Sequence, residues 1–213
     1  MESLSSGPMF TYWAGQVGIA VFAVTGVLAA GHRNLDLFAV VVIGVVTAVG
    51  GGTVRDMVLG VPVFWLQDFT YVGVALAATV AAFVLERRLR DTYTLLLYLD
   101  GLACALFTVL AIDKTLGLAH SAPVAVVMGI VTGIGGGLIR DVLIGEPTLL
   151  TRKELYATPI LLGGLLYVGL LLIVPERHEL AAPASAAALF LMRAAAIHFG
   201  LTYPAWLTVR PRT

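Results

Sequence analysis

Charged side chains are scarce in this sequence: Asp, Glu, Lys and Arg make up 12% of its 213 residues, against about 25% in ordinary soluble domains. With 59% hydrophobic residues and a mean hydropathy of +0.95, the composition excludes a soluble globular protein. Basic and acidic residues number 13 each, so net charge indicates no nucleic-acid or strongly acidic partner. The sequence predicts an integral membrane protein surrounded by the lipid bilayer.

Cysteine is almost absent as well. Cys104 is the single one, so no disulfide can form within the chain. The first residues, MESLSSGPMF, lack the basic region of a signal peptide, and no small-residue cleavage site stands out after the apolar stretch. We therefore expect the first apolar stretch to remain in the mature protein.

Signatures of chemistry are missing too. His198 has no second His, Cys or carboxylate nearby at the spacing of metal ligands. No nucleophile and base are arranged for catalysis, and the triple glycines lack the Lys-Ser/Thr ending of a phosphate-binding loop. We expect no metal, no cofactor and no enzymatic activity.

Long apolar runs are what the sequence has instead. A hydrocarbon core of about 30 Å needs about 20 apolar residues per helix. The sequence therefore predicts seven transmembrane helices, at residues 10–30, 37–60, 69–85, 93–112, 121–145, 155–174 and 181–203. Because the connections are short, residues 1–213 form a single all-α membrane domain.

The distribution of Lys and Arg predicts the orientation, because cytoplasmic loops carry the excess of positive charge. If the N-terminus lies outside, the inner side holds Arg33, Arg87, Arg88, Arg90, Arg140, Arg152, Lys153, Arg210 and Arg212. The outer side then holds only Arg55, Lys114 and Arg177. We expect a multi-pass protein of the cell inner (plasma) membrane, with the N-terminus outside and the C-terminus in the cytoplasm.

One motif occurs twice, as GGGTVRDMVLG at residues 50–60 and GGGLIRDVLIG at residues 135–145. Each copy follows 13 residues of its helix, which span only about 20 Å and cannot cross the bilayer before the glycines. The pattern predicts that the glycines interrupt the second and fifth helices and expose backbone carbonyls to a cavity. The alternative is that they only let helices pack closely. The residues concerned are Gly50, Gly51, Gly52, Gly135, Gly136 and Gly137.

A shift of 85 residues superimposes the first copy on the second well beyond the glycines. Matching pairs are Phe22 and Phe107, Thr47 and Thr132, Arg55 and Arg140, Asp56 and Asp141, Gly60 and Gly145, Pro62 and Pro147, and Tyr71 and Tyr156. We interpret residues 10–85 and 93–174 as two repeats of three helices, followed by a seventh helix at 181–203. An odd number of helices inverts the second repeat, and such repeats place their site at mid-membrane, where they meet.

The polar residues beside the glycines have two interpretations each. Thr47 and Thr132, one turn before the glycines, either line an ion path or bond back to the preceding turn. Arg55 and Arg140, about one turn after them, either guard opposite halves of the path or are anchors held in ion pairs.

Four further charges support this region. Because adjacent residues on a helix point about 100° apart, we expect Asp56 and Asp141 to find their partners on other helices. Asp100 and Arg193 lie inside the fourth and seventh helices, so each needs a partner. They either pair, fixing the seventh helix to the repeats, or lie on the permeation path.

Three segments, TAVGGGTVRDMVLGVPVFWL, LDGLACALFTVLAIDKTLG and VTGIGGGLIRDVLIGEP, resemble the bacterial branch of the trimeric intracellular cation (TRIC) channel family. Small relatives of these channels also carry the name glycine transporter. The resemblance covers nearly the whole chain and implies a homotrimer with a potassium-permeable pore in each protomer, beside the two glycine helices. The animal channels carry Lys-Glu-Val where this chain has VVTAV, so lipid regulation tied to that signature is not implied.

Three functions remain open from the residues alone. A channel would use glycine carbonyls to replace water around a monovalent cation such as potassium. A carrier would bind a zwitterion such as glycine between two rocking repeats. A membrane scaffold gives no reason for a paired motif, and the resemblance favours the channel.

Overall fold

The computed structural model describes residues 8–31, 33, 35–86, 92–152, 154–174 and 178–204. The helices are α1 (Pro8–Ala30), α2 (Leu37–Val58), α3 (Phe64–Gln67), α4 (Thr70–Glu86), α5 (Thr92–Gly117), α6 (Ala122–Ile144), α7 (Ala157–Ile173) and α8 (His178–His198). A 3-10 turn at Leu149–Thr151 precedes α7. The predicted all-α class is confirmed.

Five of the described helices, α1, α2, α5, α6 and α8, are long and apolar enough to cross a membrane. Two shorter apolar helices, α4 and α7, occupy the third and sixth predicted positions. Large apolar side chains such as Phe38 and Leu172 are exposed on the outside of the bundle, as contact with lipid requires. The predicted helical membrane bundle is confirmed.

Helices α2 and α6 run without interruption through their glycines, so the expected breaks are absent from this structure and that prediction is wrong for it. The two helices have 22 and 23 residues, about 33 and 35 Å of helix, which is enough to cross the bilayer. Each glycine costs close to 1 kcal/mol relative to alanine. Close contact between the two helices offsets that cost.

The centre of the bundle is a stacked pair of rings, Phe22 of α1 and Phe107 of α5, with centroids 5.5 Å apart. Thr11, near the start of α1, lines the same cavity as Asp113 and Lys114, near the end of α5. Helices α1 and α5 therefore run in opposite directions. This direction agrees with the interpretation of inverted repeats, whose two-fold axis stays a prediction.

Helices α2 and α6 end in the same way. Gly60, with φ +66°, and Gly145, with φ +73°, take the left-handed conformation that ends many helices. The next N–H, of Val61 or Glu146, donates to the carbonyl five residues earlier, at 3.0 and 2.9 Å. The last glycine of each motif is thus a helix stop, and it turns the chain back towards the bundle.

The segment after α8 is hydrogen-bonded to the segment before α7 and to the first turn of α7. The N–H of Leu155 donates to the carbonyl of Leu201 at 3.2 Å. The hydroxyls of Thr158 and Tyr203 lie 2.8 Å apart. These contacts hold the seventh membrane helix against the second repeat.

Several residues used for the orientation lie outside the described residues: Arg87, Arg88, Arg90, Lys153, Arg177, Arg210 and Arg212. The start of the MESLSSGPMF stretch, residues 1–7, also lies outside them. The orientation therefore stays a prediction.

Candidate functional site: a helix pair between two cavities

The central glycines bring the backbones of α2 and α6 into direct contact. A Cβ on Gly51 would overlap the carbonyl oxygen of Thr132, and a Cβ on Gly136 would overlap the carbonyl oxygen of Thr47. A Cβ on Gly135 would lie 3.2 Å from the Cα of Gly51. The contacts are reciprocal under the 85-residue shift, and they match the second interpretation of the motif, close helix packing.

The outer glycines make room for side chains. A Cβ on Gly52 would lie 2.6 Å from the ring of Phe64, and one on Gly137 would lie 3.0 Å from Oδ1 of Asp100. Gly50 leaves space for a side chain of α6 in the same way. Each of the six glycines thus faces a neighbour that a larger residue would displace.

The two threonines before the glycines are buried and bond within their own helices. The hydroxyl of Thr47 donates to the carbonyl of Ile43 at 2.6 Å. The hydroxyl of Thr132 donates to the carbonyl of Met128, also at 2.6 Å. Of the two arrangements predicted for these residues, this is the bond to the preceding turn.

In the first repeat, Asp56 gathers three donors. Nε of Arg55 donates to Oδ1 of Asp56 at 2.8 Å, and Nζ of Lys114 on α5 donates to the same oxygen at 2.7 Å. The backbone N–H of Phe64 donates to Oδ2 at 2.9 Å. The expectation that adjacent residues of the motif do not pair is wrong, because the long Arg side chain reaches round to the neighbouring carboxylate. A second partner does come from another helix.

In the second repeat, Arg140 and Asp141 repeat this geometry at 2.8 Å. The N–H of Leu149 donates to Oδ2 of Asp141 at 3.0 Å, as that of Phe64 does in the first repeat. Nη1 of Arg140 donates to Asp100 at 2.9 Å and to the Thr25 hydroxyl at 3.0 Å. Both ions of the Arg140–Asp100 pair are fully buried.

Asp100 and Arg193 do not pair with each other. Asp100 is already bonded to Arg140, and it also accepts from the hydroxyl of Tyr156 at 2.9 Å. Arg193 donates from Nη1 to the carbonyl of Leu155 at 2.9 Å, and its guanidinium lies 4.8 Å from the centroid of the Tyr156 ring. Arg193, on α8, does fix the seventh membrane helix to the second repeat, but its partner is the segment that precedes α7.

Two cavities of about 310 Å³ each flank the helix pair. Cavity A lies at the start of α1 and the end of α5, and its lining includes Arg55, Phe64, Tyr71, Phe107, Asp113 and Lys114. Cavity B lies at the end of α1 and the start of α5, and its lining includes Leu28, Tyr93, Asp141, Glu146, Leu149 and Arg152. The side chains that line cavity A are thus richer in positive charge, and those that line cavity B in negative charge.

The body of the bundle separates the two cavities. Phe107 lines cavity A, and its stacked partner Phe22 is buried, 1% exposed. Beside the rings, Gly51 and Gly136 close the space between α2 and α6. A path from one cavity to the other would have to pass this layer.

Among the residues bonded to the motif charges or to Asp100, the sequence analysis does not identify Lys114, Thr25 and Tyr156 as part of the site. It places Lys114 in a loop because the predicted helix ends at residue 112, whereas α5 continues to Gly117 and carries Lys114 into the bundle. Thr25 gave no signal in the sequence. Tyr156 does give a signal in the sequence, because the 85-residue shift pairs it with Tyr71.

Among the residues that the structure describes, no group of three or more His, Cys, Asp or Glu side chains is arranged to hold a metal ion. The charged side chains of the site are instead paired with one another and hydrogen-bonded to backbone amides.

Comparison with known proteins agrees with this architecture. The family model described as glycine transporter matches residues 12–87 and 97–171, close to the two predicted repeats. The inner membrane protein YadS of Escherichia coli (strain K12) is 41% identical over 198 residues, covering 92% of this chain and 96% of the relative.

Solved structures agree as well. The TRIC trimeric intracellular cation channel orthologue from Rhodobacter sphaeroides is 38% identical, with a TM-score of 0.87, over 91% of this chain and 100% of that one. A prokaryotic TRIC channel in 0.5 M KCl is 27% identical, with a TM-score of 0.84, over 90% of this chain and 98% of that one. The present chain therefore belongs to the family described as glycine transporter, and with it to the bacterial branch of the TRIC channel family.

Proposed function

We propose that this protein is a potassium-permeable cation channel in which each protomer holds its own ion path. The observation that carries the proposal is the pair of cavities at opposite ends of α1 and α5, with the stacked rings and the motif glycines between them. Charged side chains line both cavities, as a water-filled path for ions requires. The similar structures described as cation channels support the same function.

Opening requires α2 and α6 to bend or part at their glycines. Glycine holds a helix less firmly than other residues, and residues 50–52 and 135–137 occupy the closed layer. Carbonyls that are bonded inside the closed helices then become available to a cation that has shed water. The helix interruption expected from the sequence is, in this proposal, a feature of the open state.

The assembly is a homotrimer in the inner membrane, with the N-terminus outside and the C-terminus in the cytoplasm. The trimer follows from similarity to a protein described as a trimeric channel. The orientation follows from the excess of Lys and Arg on one side. Opposite directions of α1 and α5 support two inverted repeats, at 10–85 and 93–174, plus a seventh helix.

A carrier of a small zwitterion such as glycine is the second candidate. Cavity A supports it, because Arg55 and Lys114 suit a carboxylate and Asp113 suits an ammonium group. The description of the matching family model points the same way. In this version the two repeats rock around the occupied cavity, which opens to each side in turn.

A flux assay in liposomes separates the two functions. Purified protein is reconstituted, and potassium flux down a gradient is measured beside uptake of labelled glycine, with protein-free liposomes as the control. A channel gives potassium flux and single-channel currents without saturable glycine uptake. Gradient-driven, saturable glycine uptake without current would replace the channel by the carrier.

A further inference from the structure

Asp100 marks one of the positions at which the two repeats differ within the site. Asp100 of the second repeat corresponds to Gly15 of the first under the 85-residue shift. A tyrosine hydroxyl stands at this position in both halves. That of Tyr156 donates to Asp100 at 2.9 Å, and that of Tyr71 lies 3.3 Å from where a Cβ on Gly15 would be. Only the second repeat therefore places a carboxylate between the tyrosine and the motif arginine.

The two motif arginines differ in whether they line the neighbouring cavity. Arg55 lines cavity A. Arg140 is fully buried, lies outside the lining of cavity B, and is bonded to Asp100 and Thr25 through Nη1. The neighbouring Asp141 does line cavity B. A guanidinium that paired only with its adjacent aspartate, as Arg55 does, would reach this cavity.

We propose that Asp100, held by Tyr156, is a latch that withdraws the Arg140 guanidinium from cavity B and keeps that half of the path free of a positive barrier. The inference rests on the proposed cation path, and it assigns Asp100 and Tyr156 as positioning residues. With the latch closed, Arg140 faces two carboxylates, Asp100 and Asp141, so the three side chains together carry one net negative charge.

The seventh helix secures the latch. The guanidinium of Arg193 lies 4.8 Å from the centroid of the Tyr156 ring and donates to the carbonyl of Leu155. A Cβ on Gly101 would lie 2.7 Å from Cγ of Arg193, so α8 packs directly beside Asp100. One buried chain of contacts thus runs from α8 through Tyr156 and Asp100 to Arg140 on α6.

Release of the latch has a defined electrostatic result. Nη2 of Arg140 is buried and has no hydrogen-bond partner among the described residues, and Nε is bonded to the adjacent Asp141, so Asp100 and Thr25 are the partners that draw the end of the guanidinium away from cavity B. If Asp100 becomes neutral, Arg140 keeps a single carboxylate in a dry site, which is costly. The guanidinium then moves to the water of cavity B and opposes cations there.

Single-channel recording in potassium chloride tests the latch. Asp100→Asn and Tyr156→Phe are expected to lower the conductance severalfold. Adding Arg140→Gln to Asp100→Asn is expected to restore it, because no guanidinium remains to be released. Unchanged conductance in both single variants, or a double variant that conducts no better than Asp100→Asn, would overturn the latch.

Labelling of Cys104 tests the same latch without any current, so it remains informative if the channel function itself fails. The thiol lies 3.6 Å from Asp100 and 3.5 Å from the Tyr156 hydroxyl, and it is the only cysteine of the chain. Methanethiosulfonate ethylammonium is applied to the reconstituted protein, with Cys104→Ser as the blank. Tyr156→Phe is expected to speed labelling severalfold, whereas Tyr71→Phe, the matching change in the first repeat, leaves the rate unchanged. Equal rates in wild type and Tyr156→Phe would refute the latch.

Discussion

At the scale of single residues, the aspartate of each motif organises the backbone as well as balancing charge. Asp56 accepts from the amide of Phe64, and Asp141 accepts from the amide of Leu149, eight residues further on in both repeats. These bonds fasten the returning segment beneath the motif arginine. The Arg-Asp pair therefore has the same structural role in both repeats, which does not depend on what the protein transports.

The two arginines are expected to respond differently to neutral substitution. In Arg55→Gln, Asp56 keeps Lys114 as a partner, so the loss of stability is small, and removal of a positive charge from cavity A raises potassium conductance. In Arg140→Gln, two buried carboxylates lose their partner, which costs about 3–5 kcal/mol, while conductance stays near the wild-type value. Thermal unfolding in detergent and single-channel recording measure both effects. Lower stability with unaltered conductance in both variants would leave the motif as a structural clamp alone.

At the scale of the helices, length and apolarity were enough to place the seven apolar helices, with ends that differ from the predicted ones by up to five residues. The sequence did not reveal that α2 and α6 stay continuous. Whether a glycine run interrupts a helix depends on what packs against it, and here each run meets the backbone of the other helix. Asp100 was recognised as a buried charge that needs a partner. Its choice of Arg140 over Arg193 depends on how α6 and α8 pack, which a single sequence does not show.

The glycine contact predicts a steep dependence on side-chain size. Gly51→Ala and Gly136→Ala place a methyl group against a backbone carbonyl of the opposite helix, and such overpacking costs about 1–3 kcal/mol. Gly73→Ala and Gly169→Ala are matched controls, because a Cβ there meets nothing within 4 Å. They are expected to be neutral or to gain up to about 1 kcal/mol from helix propensity. Thermal unfolding of the four variants in one detergent compares them, and equal losses in all four would contradict the contact.

At the scale of the whole molecule, two residues that the 85-residue register matches also meet at the centre of the bundle, a contact that the sequence analysis did not predict. Phe22 and Phe107, paired in the sequence, are stacked on each other. The register does not predict how the two halves differ in charge, because some of the charged residues that line the cavities correspond to uncharged residues in the other repeat. Lys114 corresponds to Ala29, and Asp113 corresponds to Leu28.

The orientation predicts a simple fusion experiment. Green fluorescent protein at the C-terminus is expected to fluoresce, and alkaline phosphatase at the same place is expected to stay inactive, because the proposed orientation places the C-terminus in the cytoplasm. The first fusion serves as the control for expression of the second. An active phosphatase fusion would reverse the predicted orientation.

A structure determined in lipid nanodiscs is expected to superimpose α1, α2 and α4 on α5, α6 and α7 by a two-fold axis lying in the membrane plane. The reciprocal contacts of Gly51 and Gly136, and the opposite directions of α1 and α5, are the reasons. Two halves with the same orientation across the bilayer would exclude this axis.

The stacked phenylalanines also have an evolutionary meaning. A contact in which a residue meets its own counterpart belongs to an isologous interface, the kind that joins two identical subunits across a two-fold axis. Phe22 against Phe107 is such a contact now found within one chain. A three-helix ancestor able to insert in both directions would have formed it as a homodimer. Fusion of two such copies would then let the halves diverge, and the correspondence of Gly15 with Asp100 is one place where they differ.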